Sequence, residues 1–506
     1  MHMNYEDLKP LKSGTDVRGV ALDDLPGQPV NLTDEAVSAI VSGFAAWLAG
    51  AAERPNRLKI AVGRDSRISG PRIRDAVVRT LVGVGVQVVD CGLASTPAMF
   101  MTTVDIGCHG AIEITASHHP FNRNGLKFFT AQGGLDSNTL DEVFRMAALS
   151  VSDSVATGEC VALDYMSQYA ARLRNMICDG IKADVYERPL EDMHIIVDAG
   201  NGAGGFYAGK VLEPLGARVD GSQFLEPDGR FPNHIPNPEN KEAMESICKA
   251  VRDSGADLGI IFDTDVDRAA CVGAGGQEMG RNRLIALASA IALENGGTVV
   301  TDSVTSDGLK LFIEKTLGGV HCRFKRGYKN VINEALRLNA EGVDCPLAIE
   351  TSGHAAMREN YFLDDGAYLA TKIVIKAACL RKEGRTLDDL LKPLVEPAES
   401  DEVRLDITAA DFRTFGNHIL ELLELHAHKN GWTIAEDSHE GVRVSFAGDE
   451  GGGWILLRLS VHDPVMALNL ESNRAGGNKI LAAALFDILK EQDGLVLDSL
   501  KNYLKD

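Results

Sequence analysis

Three aspartates at alternate positions, Asp263, Asp265 and Asp267, follow the apolar run Leu258-Gly259-Ile260-Ile261-Phe262. In an extended segment, alternate side chains share one side. Three neighbouring carboxylates repel one another, and at the end of an apolar strand solvent screens them poorly. A divalent cation offsets that repulsion, and hard oxygen ligands favour Mg²⁺. Arg268 comes directly after them and is placed to contact a phosphate or to lock one carboxylate. The second chemical group is Ser117, in Thr115-Ala116-Ser117-His118-His119-Pro120. The β-branched run before it reads as a buried strand, and the proline after it forbids simple continuation. A hydroxyl at a strand end, beside two imidazoles, can carry a phosphoryl group if a metal and positive charges surround it. Lys127 follows ten residues later.

Other spacings suit a phosphorylated, hydroxylated ligand. Glu350 and Ser352 stand two apart, so a carboxylate and a hydroxyl on one side can bond vicinal sugar hydroxyls; His354 comes next. Arg458 offers a planar fork to a phosphate, Ser460 a hydroxyl and His462 a further donor. Gly14-Thr15-Asp16-Val17-Arg18-Gly19 is either a turn with a solvated arginine or a loop that presents Arg18 to a phosphate. Lys325-Arg326-Gly327-Tyr328-Lys329 is either a solvated basic turn or a substrate contact. The glycine-rich stretch from Asp198 to Gly204 lacks the dinucleotide fingerprint and reads as a structural turn.

These segments, in this order, resemble those of the α-D-phosphohexomutases. The Ser117 loop resembles the family's phosphoserine loop, with His119 in place of Asn. Asp263 to Arg268 resembles its Asp-Gly-Asp-Gly-Asp-Arg metal loop, with Thr264 and Val266 replacing the glycines. Glu350, Ser352 and His354 match its sugar loop, and Arg458, Ser460, Pro464 and Glu471 its phosphate clamp. Val461, His462 and Asp463 depart from that clamp. Val304 stands where some members carry a substrate-binding lysine, a task that Lys325 or Lys329 can assume.

The resemblance implies that Ser117 carries the phosphoryl group and that Mg²⁺ sits on Ser117 and the three aspartates. It implies Arg18 and Arg268 as stabilisers of the transferring group. Lys127 or His118 is the acid/base, with the Lys127 ammonium lowered by a neighbouring metal and cations. The reaction implied is reversible transfer between the 1- and 6-positions of a hexose phosphate. A hexose 1,6-bisphosphate is its intermediate and activator. The phosphomannomutase/phosphoglucomutase branch is the first reading and phosphoglucosamine mutase the alternative. A metal-dependent sugar phosphatase and a non-catalytic sugar-phosphate binder are the readings from other classes.

The elements around these residues set the fold expectation. Strand, polar glycine-containing loop and amphipathic helix recur from the N-terminus to about residue 395, which implies parallel, helix-covered sheets. Sites in such sheets gather at strand C-terminal ends. The fold class expected is α/β: three related α/β mixed-sheet domains plus a C-terminal α+β domain around a central cleft. The boundaries are 1–160 for the phosphoserine loop, 161–295 for the metal loop, 296–395 for the sugar loop and 400–506 for the phosphate clamp. A chain of 506 residues needs several cores. Its 51 Lys and Arg against 72 Asp and Glu exclude a general nucleic-acid binder. Nine scattered cysteines without Cys-x-x-Cys spacing read as reduced thiols of a cytoplasmic protein. No apolar run is long enough for a membrane span. A monomer or a homodimer suits the chain equally.

Overall fold

In the computed structural model, the run before Ser117 is the strand Gly110–Ile114, buried at every residue. The described residues are 3–51, 57–149, 158–460 and 463–505. The chain packs as two compact units. One comprises Met1–Gly280 with Ser352–Asp388, the other Arg281–Thr351 with Asp389–Asp506.

The first unit contains an eight-stranded sheet. Its main strands are β1 (Asp16–Val20), β2 (Lys59–Arg64), β3 (Gln87–Leu93), β4 (Gly110–Ile114), β5 (Arg123–Thr130) and β6 (Glu159–Ala162), in the order β1-β5-β4-β2-β3-β6. Strands β4, β2, β3 and β6 are parallel, while β5 runs antiparallel to both β4 and β1. The sheet is therefore mixed, as the expected fold class has it, and its parallel core is the part that the strand–helix rhythm implies. The connection 115–122 is shorter than the dozen or so residues that a parallel crossover needs, so the strand carrying Lys127 must turn straight back. Helices Asp34–Ala51, Gly70–Gly83 and Ser137–Leu149 contribute Phe44, Ile73 and Phe144 to a core shared with Ile60, Val62, Ile112 and Phe128.

The same unit holds a four-stranded sheet of β7 (Ile195–Asp198), β8 (Leu258–Phe262), β9 (Ala269–Gly273) and β10 (Gln277–Met279), ordered β10-β9-β8-β7. β8 is parallel to β7 and antiparallel to β9. The three aspartates thus occupy the tight connection between two buried, antiparallel strands. The helix Gly366–Lys382 also belongs to this unit. Its N-cap Asp365 accepts from the Tyr368 N–H at 2.8 Å.

The second unit contains parallel strands β11 (Thr298–Thr301), β12 (Val320–Arg323) and β13 (Leu347–Ile349), with β11 between the other two. Its C-terminal part is an antiparallel sheet of β14 (Glu399–Asp406), β15 (Thr433–Ile434), β16 (Val442–Ser445), β17 (Gly453–Leu459) and β18 (Val465–Ser472), ordered β14-β18-β17-β16-β15. Helices Phe412–Asn430 and Gly477–Leu489 bury Leu423 and Leu485 against Leu405, Val444, Ile455 and Leu468 of that sheet. This is the α+β unit expected of the C-terminal region. No helix among the described residues is long and apolar enough to cross a membrane.

Candidate active site

The chain turns at Ser117 with φ at 49°, in the left-handed region that a residue with a side chain rarely adopts. The turn presents the Ser117 hydroxyl to the loop after β8. Its Oγ donates to Asp263 Oδ2 at 3.2 Å and accepts from Arg268 Nη2 at 3.0 Å. Arg268 is almost fully buried. It also donates to His118 Nδ1 at 2.7 Å and pairs with Asp263 at 3.2 Å. Serine and metal loop, 146 residues apart in sequence, therefore meet through direct hydrogen bonds.

The metal loop is held at each of its turning carbonyls. Thr264 O accepts from Ala203 N–H at 2.8 Å, Asp265 O from Thr96 N–H at 2.9 Å and Val266 O from Gly366 N–H at 3.0 Å. The glycine-rich turn after β7 therefore serves as a shelf under the metal loop. A Cβ on Gly202 would lie 2.5 Å from Thr264 O, so only glycine permits this approach. Val266 sits at φ 67° where the family pattern has glycine, while Thr264 is absent from the positive-φ set. Only one of the two missing glycines thus meets a conformational demand, and buried Val266 meets it under strain.

The site's electrostatics suit a cation. Asp263, Asp265 and Asp267 are buried, and each offers an oxygen to a cluster whose members lie within 4.8 Å of one another. Burial, then Asp267 and Asp265, push the Asp263 carboxyl well above its ordinary range. Burial pushes Asp265 and Asp267 in the same direction, but Lys127 and Thr96 together hold Asp265, and Lys127, His354 and Arg268 together hold Asp267, below their usual values. Asp265 Oδ1 and Asp267 Oδ1 are buried and have no hydrogen-bond partner among the described residues. Crowded carboxylates with buried oxygens that accept no hydrogen bond fit a hard divalent cation, which would use those atoms and relieve the repulsion.

Lys127 Nζ donates to Asp265 Oδ2 at 2.8 Å and to Asp267 Oδ2 at 2.5 Å. Burial lowers its ammonium, but the two carboxylates dominate and raise it well above the ordinary value. The direction is opposite to the lowering expected beside a bound metal and cations, because the charges nearest Lys127 among the described residues are the carboxylates of Asp265 and Asp267. His118 is pushed down to about 3 by burial and by Arg268, so its imidazole is neutral. Its Nδ1 accepts a hydrogen bond and is the unprotonated nitrogen. His354 is raised to about 9; burial works against this, and Asp364 and Asp267 override it. His354 Nδ1 pairs with Asp364 Oδ2, and His354, Asp364 and Asp267 form a second close set of potential ligands. A residue matched to a sugar loop thus lies against the metal loop.

Arg18 is held by Asp16 at 2.7 Å and donates to Thr115 O. It braces the backbone before Ser117, and its hydrogen bonds among the described residues go to Asp16 and Thr115 O rather than to the hydroxyl. Ser352 belongs to the first unit, and its Oγ is buried without a hydrogen-bond partner among the described residues. Glu350, Lys329, Arg458 and Ser460 belong to the second unit. There Glu350 accepts from Gly327 N–H at 2.5 Å, and Lys329 Nζ lies 5.7 Å from the Tyr328 ring centre. Arg458 Nη2 lies 3.7 Å from Glu402, and Ser460 Oγ accepts from Asp463 N–H at 3.2 Å. His462 falls outside the described residues. Sequence reasoning missed the supporting contacts of Thr96, Arg67 and Asn237. Thr96 Oγ1 donates to Asp265 Oδ2 at 2.5 Å, and Asn237 Oδ1 accepts from Arg268 at 3.2 Å. The one local signal was that Arg67 and Thr96 follow shortly after the strands β2 and β3.

Models of the phosphoglucomutase/phosphomannomutase α/β/α domains I, II and III match residues 11–147, 167–276 and 280–398. The phosphomannomutase/phosphoglucomutase of Pseudomonas putida is 30% identical over 420 residues, which cover 82% of this chain and 84% of that protein. The chain belongs to the phosphoglucomutase/phosphomannomutase family. It is an enzyme of the phosphohexomutase class. A phosphoglucomutase of Neisseria gonorrhoeae, another relative, is 30% identical over 87% of this chain and 90% of its own length. The crystal structure of a family protein from Burkholderia thailandensis shares the fold, with a TM-score of 0.76 at 24% identity over 96% of this chain and 98% of that one.

Proposed function

We propose that the chain catalyses reversible phosphoryl transfer between the 1- and 6-positions of a hexose phosphate, with mannose or glucose phosphate as substrate and Ser117 as the phosphoryl carrier. The observation that carries this reading is the junction of Ser117 Oγ with Arg268 and Asp263, at 3.0 and 3.2 Å, on the edge of a buried acidic triad.

Phosphorylated Ser117 faces the free hydroxyl of the bound sugar. The sugar oxygen forms a bond to phosphorus as the Ser117 Oγ–phosphorus bond breaks, and the hydroxyl proton leaves to a base. Arg268, already bonded to Oγ, stabilises the charge that returns to the serine oxygen. Arg18 fixes the carbonyl before the loop and adds positive charge. The product is a hexose 1,6-bisphosphate, which reorients and returns its other phosphoryl group to Ser117. Added bisphosphate activates the enzyme by phosphorylating Ser117. Asp263, Asp265, Asp267 and Ser117 would hold Mg²⁺, which when bound would add positive charge beside the transferring group. Lys127 and His118 are the candidate acid/base residues: the Lys127 ammonium is the group able to donate a proton and the neutral His118 imidazole the group able to accept one. We assign the sugar hydroxyls to Glu350, Ser352 and His354, and the distal phosphate to Arg458, Ser460, His462 and Lys329. We place the enzyme in the cytoplasm, as a monomer or homodimer that binds neither nucleic acid nor membrane.

Mass spectrometry of the intact protein tests the carrier, and a coupled assay from mannose or glucose 1-phosphate to the 6-phosphate tests the reaction. One phosphate on Ser117, lost in Ser117→Ala together with activity, supports the reading. An active Ser117→Ala enzyme overturns it, and steady release of inorganic phosphate without isomerisation makes the protein a phosphatase.

A further inference from the structure

Arg67 is fully buried, and its guanidinium is committed to Asp65, to the Ser117 loop and to the first residue of β5. Nη2 donates to Ser117 O and, at 2.7 Å, to His119 O; Nη1 donates to Pro120 O at 2.8 Å and to Arg123 O at 2.9 Å. Nε pairs with Asp65 at 3.2 Å. Asp65 accepts from Thr115 Oγ1 at 2.7 Å, and that hydroxyl oxygen accepts from the Ser117 N–H at 2.9 Å. Both peptide groups flanking the Ser117 Cα are therefore tied to one buried ion pair. Those two planes define the φ and ψ of Ser117, which stands in the left-handed region.

We propose that Arg67, with Asp65, is a positioning residue that locks Ser117 into the backbone conformation from which it gives and takes the phosphoryl group. The inference rests on Ser117 being the carrier. Arg67 touches no reacting atom; it acts through the carbonyl of Ser117. A lysine cannot replace it, because one ammonium cannot span four carbonyls and a carboxylate as a rigid planar fork does. The pair is itself fixed from outside. Phe231 covers the guanidinium with its ring centre 5.2 Å away, and a Cβ on Gly229 would lie 2.4 Å from Ile68 N, so that turn seats closely on the Asp65–Arg67 turn.

The test uses the full chain, phosphorylated, with glucose 1-phosphate as substrate. Arg67→Lys and Thr115→Val are compared with the parent for kcat, KM and melting temperature. Misplacing the carrier lowers kcat by about 100-fold in each folded variant while KM stays within about twofold. Thr115→Val keeps the ion pair and cuts only its link to the Ser117 N–H, so it carries the test if Arg67→Lys does not fold. A folded variant with kcat within about threefold of the parent, or with kcat and KM impaired together, overturns the proposal. So does failure of both variants to fold, which would make the pair a folding element. A parent without phosphate on Ser117 removes the proposed function; a phosphorylated parent with an unimpaired variant removes only the role of Arg67.

Discussion

Val266 sets two residue-scale effects against each other. Its side chain is fully buried, so any truncation loses apolar burial. Its φ of 67° is the conformation in which a Cβ costs roughly 1–2 kcal/mol and glycine costs nothing. At ordinary buried positions glycine is worse than alanine by about 0.5–1 kcal/mol. Here the order should invert: Val266→Gly is expected to be more stable than Val266→Ala, by about 1 kcal/mol, in urea denaturation. Glu471 allows a pH prediction away from the metal loop. It is buried on β18 and accepts from Trp454 Nε1 at 2.9 Å, while Arg443 lies 3.5 Å over the same indole. Burial pushes its carboxyl up to about 7, and Trp454 and Arg443 offset only part of that rise. The folded state therefore holds a proton that the unfolded state releases near its ordinary 4.5. This contribution is fully present below the unfolded value and is lost as pH rises through about 7, with an upper bound of about 3 kcal/mol. Glu471→Gln is expected to remove that part of the loss, seen as a smaller fall in urea midpoint between about pH 5 and pH 8.

Loops and strands determined what the sequence could reveal. Ser117 and the three aspartates were legible because each group is contiguous: a buried strand, then chemistry at its end. The direction of the Lys127 shift was not, because it depends on Asp265 and Asp267, which reach it from about 140 residues away. Long separation in sequence likewise hid Thr96 and Gly366, which clamp the metal-loop carbonyls from two other elements. The mixed sheet expected from the sequence is present, and the connection before β5, too short for a parallel crossover, is its physical reason. The turn after β7 was read as structural, and its contacts give that reading a purpose: it carries the metal loop. Gly202→Ala should therefore act at a distance. Its Cβ would meet Thr264 O at 2.5 Å and Thr264 Cα at 2.8 Å, both backbone atoms that cannot rotate away. The variant should fold, since the strands on either side are fully buried. Its half-saturating Mg²⁺ concentration for mutase activity should rise by roughly 10- to 100-fold, as for a lost supporting contact in a metal site. An unchanged Mg²⁺ titration would show that the metal loop tolerates the displaced shelf.

At the scale of the whole molecule, all four proposed metal ligands belong to one of the two compact units. The other unit has its own buried core, built from residues such as Leu405, Ile455, Leu468 and Leu485. Binding to the folded state alone stabilises whatever must unfold to release the ligand, by about 2.7 kcal/mol at one hundred times Kd. Mg²⁺ should therefore slow amide exchange in β4 and β8, up to about 100-fold where exchange requires opening of the site. Strands β14 to β18 should exchange at the same rate with Mg²⁺ as with a chelator. Asp265→Asn should abolish the response in β8 without changing exchange in β17, because it removes a ligand from one unit and nothing from the other. Equal protection of both units by Mg²⁺ would mean that they open together, and the ion would then be a stabiliser of the entire chain rather than of the part that holds its ligands.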